Sequence, residues 1–504
     1  MVLCELAQNN IESGDTMNIT VTIEINNSTF ESFEKLEEYA QIKSNELGQA
    51  IIRSCLETKD MQLMAERDNK RYRCKGLRKT CIKTRCGTVE YSRRVYQDEF
   101  AQAGEPKSVY LLDENMGVAK VGNVSPGLCK LVASSVCEST YRAASRQVSE
   151  LTGQSISAQG AWNIVQQLGQ RQKERTERNA ALAKKSQGTG TIETKLLYEE
   201  NDGIWLHLQG KAREEYGRSK EMKVGIAYDG VLWKEDRNGG KRRILNNKIA
   251  YSCFDRAKEF RANKEGLVAS TFNVDAIELR VINGDGASWI QKQKGINTIS
   301  VLDAYHRNKK IRECVKDPEK AKLISEVLHE KSTDELLEYL DAAITTVVDD
   351  EEREGLQALY DYYSENKDSM KGYYDRGIEI PPTREPGVLH HARLGSMESN
   401  IFTLVGNRMK GRRFNWSIQG ANNLSSLLCA YHTTGMEGLF AEMPKDPEII
   451  PEWTDDGKPL SAKDSTERVG KGYEYPGAVS TQESPYWLKD IARIGNTDSL
   501  KLRF

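Results

Sequence analysis

The spacing of apolar and polar positions changes near residue 190 from a helical pattern to a pattern of strands. Residues 125–185 repeat their apolar positions at helical spacing, whereas the segments after them are rich in β-favouring residues. From residue 196 onward the pattern predicts three strands, a helix, a fourth strand, a short helix and a fifth strand. The predicted strands are 196–209, 222–233, 247–254, 279–286 and 298–305. This order of elements predicts an α/β fold.

Acidic residues occur inside or directly after two of the predicted strands. Glu199, Glu200 and Asp202 interrupt the first strand, and Asp285 follows the fourth in a Gly-Asp-Gly sequence. A carboxylate in a buried strand needs a metal ion, a basic partner or water to offset its desolvation. Taken alone, each Asp-Gly dipeptide is better explained as an ordinary turn. The pair is more informative, because two strands that each end at an aspartate suggest one shared site.

A third acid lies in the segment 395–416, which predicts a helix with Ser396 at its N-cap. The apolar stripe of this helix consists of Ile401, Phe402, Leu404 and Val405. Glu398 precedes the stripe at helical spacing, so we expect it to point inward on the same face. An acid in the first turn also complements the helix dipole, but that explanation does not account for the face.

The ordered acids Asp202, Asp285 and Glu398, the segment LDAYH at 302–306 and the phrase ESNIFTLVGNRMKGRRFNWSIQGANNL at 398–424 resemble bacterial insertion-sequence transposases of the DDE class. The resemblance runs from about residue 17 to about residue 428. It is greatest to the ISLre-two type, which is akin to mutator-like transposases and is also known as an uncharacterised protein family. The resemblance implies a ribonuclease-H-like catalytic domain, with which the predicted strand order agrees. In that arrangement the first and fourth strands are neighbours, which places Asp202 beside Asp285.

A transposase of this class binds the ends of its element and catalyses metal-dependent DNA strand cleavage and strand transfer. The resemblance implies that Asp202, Asp285 and Glu398 hold two Mg²⁺ ions, for which Mn²⁺ substitutes, since hard cations prefer oxygen ligands. It also implies that His306 lies near the site and orients a phosphate or a water. A capping or packing histidine is the competing interpretation of His306. Asp303 is the main rival of Asp285 as a catalytic acid.

Residues 145–169 predict a helix-turn-helix that binds double-stranded DNA. Its first helix ends at Thr152-Gly153, and Ser157 caps the second. The second helix carries amide side chains that suit adenine edges, namely Gln159, Asn163 and Gln166. Two helices packed in an ordinary helical domain explain the pattern equally well.

Two basic segments are further candidates for contacts with DNA phosphates. The first, 67–96, predicts a hairpin that turns near Cys86-Gly87 and carries Arg78, Lys79, Lys83 and Arg85. The second follows Glu398 and carries Arg408, Lys410, Arg412 and Arg413. A solvated basic face is the alternative for both segments.

Composition limits the remaining possibilities. The 504 residues carry a net charge of -2, so contacts with DNA must come from local basic patches and not from the overall field. No apolar run is long enough to cross a bilayer, and the N-terminal residues include acids where a signal peptide carries basic residues. Ten dispersed cysteines suit a reducing compartment, and the spacing of Cys74, Cys81 and Cys86 matches no zinc motif. We therefore expect a cytoplasmic bacterial protein that acts on chromosomal DNA and does not bind membranes.

The predicted organisation has five parts. These are an N-terminal α+β region at 17–124, a helical DNA-binding region at 125–190, a catalytic domain at 191–306 and 391–434, a helical insertion at 307–390 and an extended tail at 435–504. Holding two element ends together requires a homo-oligomer. Two alternative functions are a sequence-specific DNA-binding protein with an inactive catalytic scaffold, and a nuclease on the same fold.

Overall fold

The computed structural model describes residues 23, 25, 31–102, 107–116, 123–235, 237, 239–291, 297–411 and 414–441. The start of the predicted N-terminal region and the predicted tail from residue 442 lie outside these residues. Contacts divide the described chain into two units. The larger comprises 31–67, 75–95 and 110–441, and the smaller comprises 68–74 and 96–109, except for the residues not described.

The N-terminal part begins with a long helix and a hairpin. Helix α1 (Phe33–Glu66) is followed by the strands β1 (Tyr72–Thr84) and β2 (Gly87–Asp98), the short strand β3 (Ser108–Val109) and helix α2 (Leu111–Met116). The hairpin turns at Arg85-Cys86, as predicted, and Gly87 follows with a positive φ of 128°. In the larger unit, Leu56 of α1 packs with Ile82, Val89 and Leu112. Alternating side chains of the hairpin therefore face α1, and those between them face outward.

The smaller unit contains the open end of the hairpin. Tyr96 of β2 pairs with Val109 of β3 in antiparallel register. The Arg71 side chain donates to both carboxylate oxygens of Asp98, at 2.9 to 3.1 Å. A bidentate pair of this kind fixes the position of both chain segments.

Three helices follow: α3 (Pro126–Glu138), α4 (Tyr141–Thr152) and α5 (Ala158–Ala183). Helix α4 ends at Gly153, whose φ of 64° is left-handed, and the Ser157 hydroxyl accepts from Gly160 N at the start of α5. Both predicted boundaries of the helix pair are confirmed.

The centre of the larger unit is a five-stranded mixed sheet. Its strands are β4 (Leu196–His207), β5 (Ser219–Tyr228), β8 (Ile249–Cys253), β9 (Leu279–Gly284) and β10 (Thr298–Leu302), arranged in the order β10-β9-β4-β5-β8. Strand β4 is antiparallel to β5, and β5 to β8, whereas β4 and β9 and then β9 and β10 run parallel. The fold is α/β, and the first and fourth of these strands are neighbours as expected.

Shorter elements connect the strands of this sheet. They are α6 (Gly210–Tyr216), β6 (Val231–Glu235), β7 (Lys241–Leu245), α7 (Ala257–Thr271), a 3-10 turn (Val274–Ala276) and α8 (Ser288–Gln291). The prediction of a single strand at 222–233 is wrong. Strand β5 ends before Asp229-Gly230, where Gly230 has a φ of 146°. A separate antiparallel hairpin of β6 and β7 begins there.

The predicted insertion is helical and has its own apolar core. It contains α9 (Ala304–Cys314), α10 (Pro318–Glu330), α11 (Thr333–Thr346), α12 (Asp350–Glu365), α13 (Lys367–Met370) and a 3-10 turn (Tyr373–Arg376). Ile311, Ile324, Leu340 and Leu359 meet in that core, which also receives Leu302 from the end of β10. The insertion is thereby packed onto the sheet directly after its fifth strand.

The chain then returns to the sheet through an interrupted helix. It consists of α14 (Met397–Ile401), a π-helical turn (Phe402–Gly406) and α15 (Asn407–Met409), and is followed by α16 (Ile418–Thr433) and α17 (Gly435–Ala441). Residues 435–441 were predicted as extended tail, but they form a helix whose Leu439 is buried in the main core.

Two glycines allow helix α5 to pack closely against helices α16 and α7. A Cβ atom on Gly169 would lie 2.2 Å from the carbonyl oxygen of Asn423 in α16, and one on Gly266 in α7 would lie 2.3 Å from the amide nitrogen of Ala180 in α5. Only glycine permits such an approach. Helix α5, which was predicted to belong to a DNA-binding region, thus shares the packing of the sheet's helices.

We expect Gly169→Ala to lower the free energy of unfolding by about 2 kcal/mol or more, because the added methyl group meets backbone that cannot move aside. The change is measured by urea denaturation. Gln167→Ala, at an exposed position of the same helix, is the control and should change stability by no more than about 0.5 kcal/mol. Equal stabilities of the two variants would contradict the close packing.

Candidate functional site

The predicted acids line one cleft of the larger unit. Asp202, Asp285, Glu398 and His306 all contribute to this cleft, whose volume is about 640 Å³. We call it the acid cleft. Its remaining described lining residues are Gly203, Ile204, Trp205, Glu221, Tyr305, Lys309, Lys310, Glu313, Tyr362, Ile401, Phe402, Gly406, Lys410 and Gly411.

The parallel pairing of β4 with β9 explains why Asp202 and Asp285 meet. The last paired position of the two strands is Asn201 opposite Gly284; Asp202 is the next residue of β4, and Asp285 is the first residue after β9. Asp202 is 9% exposed, and its Oδ1 accepts from Gly203 N at 2.6 Å. Asp285 is half-buried, and its Oδ1 accepts from Ala287 N at 2.8 Å.

Glu398 reaches the cleft from the first turn of α14, but it is exposed and does not point into the core as predicted. Phe402, predicted in the apolar stripe, is also 62% exposed, whereas Leu404 and Val405 are fully buried. The π-helical turn at Phe402–Gly406 changes the helical repeat, so the expected spacing of three and four residues fails there. Ser396 occupies the N-cap position without a side-chain capping bond.

The acids act on one another electrostatically. Burial is the largest cause that raises the pKa of Asp202, which reaches about 6. Asp285 and Glu398 add repulsion, while His306 and the Gly203 amide oppose the rise. Because burial and these acids disfavour the charged form of Asp202, a cation that arrives beside it would stabilise the carboxylate.

His306 joins Asp202 to Asp303. Its Nδ1 lies 3.3 Å from Asp303 Oδ1 and its Nε2 lies 3.8 Å from Asp202 Oδ2. Burial opposes protonation of His306, but Asp303, Asp202 and Asp285 outweigh it and raise the pKa of the imidazole. His306 therefore carries positive charge between the two carboxylates over a wider pH range than an ordinary histidine.

Asp303, the rival of Asp285, has a different role in the structure. Its Oδ1 caps helix α9 by accepting from Tyr305 N and His306 N, and its Oδ2 accepts from the Asn283 side chain at 2.9 Å. Burial works against ionisation of Asp303, yet the bonds from His306 and Asn283 prevail and lower its pKa. Its oxygens are thus engaged within the protein, whereas Asp285 lines the acid cleft.

Several cleft residues were not singled out in the sequence. Glu221 of β5 and Glu313 of α9 are two further acids; the carboxylate of Glu221 occupies the space where a side chain at Gly203 would stand. Burial raises the pKa of Glu221, and Asp285 adds to the rise. Lys309 and Lys310 of α9 bring positive charge to the cleft. No local pattern marks these residues, because only the folded chain brings them to the acids.

The insertion forms one side of the cleft. The hydroxyl of Tyr362 in α12 donates to the backbone carbonyl of Asp285 at 2.7 Å. Gly286 has a φ of 89°, and a Cβ atom there would lie 2.8 Å from the side-chain oxygen of Asn366. The loop that carries the second acid is therefore held by the insertion.

Glu200, two residues before Asp202, is a buried acid that holds the elements of the cleft together through hydrogen bonds. It is fully buried, and its Oε2 accepts from Gly395 N and Ser396 N, each at 2.9 Å, and from the Asn283 side chain at 3.0 Å. Its Oε1 accepts from the Tyr228 hydroxyl at 2.6 Å. Burial raises the pKa of Glu200, and these donors oppose the rise. Glu200 thereby joins β4 to β9, to β5 and to the start of the helix that carries Glu398.

Glu199, the remaining acid of the first strand, is paired on the other face of the sheet. Lys264 Nζ of helix α7 lies 2.5 Å from Glu199 Oε2, and Arg280 lies 3.5 Å from Oε1. Lys264 also donates to Asn201 Oδ1 at 2.7 Å. The basic partner expected for an acid in a buried strand is therefore present at Glu199.

Oxygen donors of the acid cleft are of the chemical class that Mg²⁺ prefers. Within the part of the chain that the structure describes, no group of three or more His, Cys, Asp and Glu side chains has an arrangement that could hold a metal ion by itself. Mg²⁺ usually takes only one or two protein carboxylates and completes its shell with waters and substrate phosphates. The carboxylates present fit that mode of binding.

The basic residues predicted to bind DNA after Glu398 have different positions. Arg408 is buried: its Nε donates to Val136 O at 2.7 Å and its guanidinium lies over the rings of Tyr141, Phe414 and Trp416. Its side chain is thus not at the surface, as a phosphate contact requires. Lys410 is exposed and lines the acid cleft, whereas Arg412 and Arg413 lie outside the described residues.

The predicted helix-turn-helix residues also separate into two groups. Gln159 and Asn163 are exposed and hydrogen-bonded to each other at 3.0 Å. Gln166 instead faces α16, where its side-chain oxygen accepts from Asn423 at 2.9 Å, so it does not lie on the outer face that a DNA contact requires.

On the hairpin, Lys79 and Arg85 are exposed, and Arg78 and Lys83 are half-buried. The hairpin touches the turn between α4 and α5: Lys83 Nζ donates to Ser155 O at 2.8 Å, and Thr88 bonds to the Gln154 side chain at 2.9 Å. The two predicted DNA-binding segments therefore adjoin.

Comparison with known proteins finds a family model described as "Uncharacterised protein family (UPF0236)" that matches residues 27–444. A protein of Streptococcus gallolyticus with the printed name "UPF0236 protein in vanSb 3'region" is 25% identical over 448 residues. These residues cover 84% of this chain and 87% of that protein. Among the described residues, none of the helices has the length and apolar character to span a membrane.

We expect Glu200→Gln to lower the free energy of unfolding by about 2 to 4 kcal/mol, because the amide group turns a hydrogen-bond donor toward other donors in a buried place. Urea denaturation measures the loss. Glu214→Gln, at an exposed position of α6, is the matched control and should change little. A Glu200→Gln protein as stable as this control would show that the buried carboxylate does not hold the segments together.

His391 predicts an acid dependence of stability. Its Nδ1 lies 2.6 Å from the Tyr228 hydroxyl, and burial, with a smaller effect of Arg243, lowers its pKa from 6.5 to about 4. Because the folded state disfavours protonation of this group, its contribution to stability is intact above pH 6.5 and decreases by about 3 kcal/mol as the pH falls through 4.

The measurement is urea denaturation between pH 7.5 and pH 4 for the wild type and for His391→Asn, which retains a polar group beside Tyr228. The wild type should lose more stability over this range than the variant. Parallel pH curves for the two proteins would rule out His391 as a source of the acid sensitivity.

Proposed function

This chain belongs to the uncharacterised protein family UPF0236, and we propose that it is a DDE-type transposase that binds the ends of its own element and catalyses metal-dependent cleavage and joining of DNA strands. The observation that carries the proposal is the acid cleft, in which Asp202 from within β4, Asp285 from the end of β9 and Glu398 from a helix converge. The order of these acids along the chain is that of the resemblance found in the sequence.

The sheet supports the finer proposal that the catalytic domain is ribonuclease-H-like. In that fold the first three strands pair antiparallel in sequence, and a fourth strand pairs in parallel with the first. Here β4, β5 and β8 are the three antiparallel strands, and β9 is parallel to β4. The helical insertion between β10 and α14 agrees with the proposal, because it leaves the sheet order unchanged.

Bound Mg²⁺ would lower the pKa of the attacking water or DNA 3′-hydroxyl and would stabilise the negative charge on the leaving oxygen. Asp202 and Asp285 are proposed as the main ligands, and Glu398 as the ligand that completes the site. The burial and the acidic neighbours that raise the pKa of Asp202 support this assignment, because a nearby cation stabilises a carboxylate in such surroundings.

The protein's own side chains position the phosphate. Lys309, Lys310 and Lys410 are cations along the cleft and are placed to attract the DNA backbone. His306, held by Asp303 and biased toward its charged form, donates from Nε2 toward the Asp202 side of the cleft and orients a phosphate oxygen or a water there. Positioning and electrostatics account for most of the rate in this type of reaction.

Recognition of the element ends is proposed for the adjoining hairpin and helix pair. Lys79 and Arg85 present charge to a DNA backbone, and Gln159 and Asn163 present amides to a groove. The bonds of Lys83 and Thr88 to the turn between α4 and α5 hold the hairpin against the helix pair. Two ends must react together, so the active form is proposed to be a homo-oligomer on double-stranded DNA.

The test is a cleavage and strand-transfer assay on DNA that carries the gene's own flanking ends, with Mg²⁺ or Mn²⁺ added. We expect the wild type to yield joined product, and Asp285→Ala and Glu398→Gln to reduce product at least about a hundredfold through loss of charge stabilisation at the phosphate. Glu214→Gln is the matched control, since this acid is exposed and does not line the cleft; it should retain full activity.

Other outcomes distinguish the alternatives. Cleavage without joining, on DNA of any sequence, would favour a nuclease. Specific binding to the ends without metal-dependent cleavage would favour a DNA-binding protein. Full activity of Asp285→Ala would exclude this acid and return attention to Asp303.

A further inference from the structure

A second cleft shares a wall with the acid cleft. It has a volume of about 570 Å³, and we call it the basic cleft. Trp205, Lys410 and Gly411 line both clefts, so Trp205 forms a ridge between them. The other described residues of the basic cleft are Leu206, His207, Arg213, Arg218, Ser219, Met409, Phe414 and Asn415.

The charged side chains that line the basic cleft are all positive. Arg213, Arg218 and Lys410 are exposed, and none of the described residues that line the cleft is acidic. No ion pair joins any of these three cations to another residue of the described chain. Unpaired cations on a concave surface are suited to an anionic ligand.

Exposed aromatic side chains stand at the acid cleft. Trp205 is 59% exposed, Phe402 62% and Tyr305 49%, and all three line the acid cleft. A single exposed aromatic residue needs no explanation, but three around one charged cleft form a set of faces on which planar groups can stack. Trp205 is the most useful of them for a ligand that occupies both clefts, because it lies where they meet.

We propose that the basic cleft binds the sugar-phosphate backbone of an unpaired DNA strand that continues from the phosphate in the acid cleft, and that Trp205 stacks on a base of this strand. The inference rests on the proposed function and extends it, because it assigns a strand-binding path outside the acids. Aromatic platforms combined with cations are the general means by which proteins bind single strands.

The aromatic ridge favours an unpaired strand over a duplex. Inside a duplex the faces of the bases are covered by their neighbours, so an indole has no base face to stack on away from the terminal pair. A duplex would engage Arg213, Arg218 and Lys410 through phosphates but would leave Trp205 without a role. Trp205 lines the acid cleft together with Asp202, so a base stacked on it would lie in the cleft that holds the reacting phosphate.

Binding is measured by fluorescence anisotropy without added metal, so that the strand is not cut. The probes are a blunt duplex carrying the gene's flanking end and the same duplex with a short unpaired tail. We expect the wild type to bind the tailed probe more tightly. The variant with Asp202, Asp285 and Glu398 all changed to Ala should retain this preference, because the proposed path does not depend on the acids.

We expect Arg213→Ala with Arg218→Ala to weaken binding of the tailed probe about tenfold and to reduce the slope of log affinity against log salt by about 1.4, since about 0.7 counterion is released per neutralised phosphate of a single strand. Lys322→Ala with Lys331→Ala removes two exposed cations that line neither cleft and is the charge-matched control.

For the ridge, Trp205→Ala should weaken binding of the tailed probe about tenfold, while Trp205→Phe retains most of it, as stacking requires. Trp233→Ala is the matched control, because Trp233 is 55% exposed and lines neither cleft. A 2-aminopurine placed next to the scissile position should be quenched by the wild type and not by Trp205→Ala.

The inference is overturned if the tail confers no gain in affinity, or if the variants of the basic cleft and the ridge bind the tailed probe like their controls. A wild type that prefers the tailed probe but never cleaves or joins DNA with metal would overturn the proposed function and leave the strand-binding path in place. The two failures are therefore distinguishable.

Discussion

The buried carboxylate of Glu200 is the interaction on which the geometry of the acid cleft depends. It receives hydrogen bonds from Asn283 of β9, Tyr228 of β5 and the backbone of Gly395 and Ser396. A buried charge is costly, so each donor that it holds is difficult to move without leaving the carboxylate unsatisfied. One side chain of the central strand thus sets the distance between the second strand end and the helix of the third acid.

The acid cleft is a place where like charges are held together at the expense of folded-state stability. The sheet pairing brings Asp202 and Asp285 to the same edge, and Glu221 and Glu398 approach from two further elements. Burial is the main cause of the raised pKa values of Asp202 and Glu221, and the neighbouring acids add to both. On the opposite face of the sheet, the charge of Glu199 is neutralised by an ion pair with Lys264, so that acid has its cationic partner within the chain. The contrast between the two faces agrees with a cleft that receives a cation from outside.

The sequence was sufficient for four of the five strands of the central sheet and for singling out three acids that line one cleft, because a buried strand and an acid that interrupts it are both local patterns. The sequence was misleading where the position of a side chain depends on tertiary contacts. Arg408 and Gln166 look like surface residues in their helices, yet a carbonyl of α3 and an amide of α16 hold them inside. The π-helical turn after Glu398 is invisible to a spacing rule that assumes a regular helix. The Asp229-Gly230 dipeptide was the available signal for the separate β6-β7 hairpin, since such dipeptides mark turns.

The hydrogen bond from Tyr362 to the carbonyl of Asp285 makes the helical insertion a supporting wall and not an appendage. An appendage can be shortened or exchanged between relatives with little effect on chemistry. This insertion cannot, because removing α12 would leave the loop of the second acid without support on that side. Variation of its length is therefore expected in the connections distant from Tyr362 and Asn366, and not in the helical turn that carries them, because these two side chains contact the loop of Asp285 and Gly286.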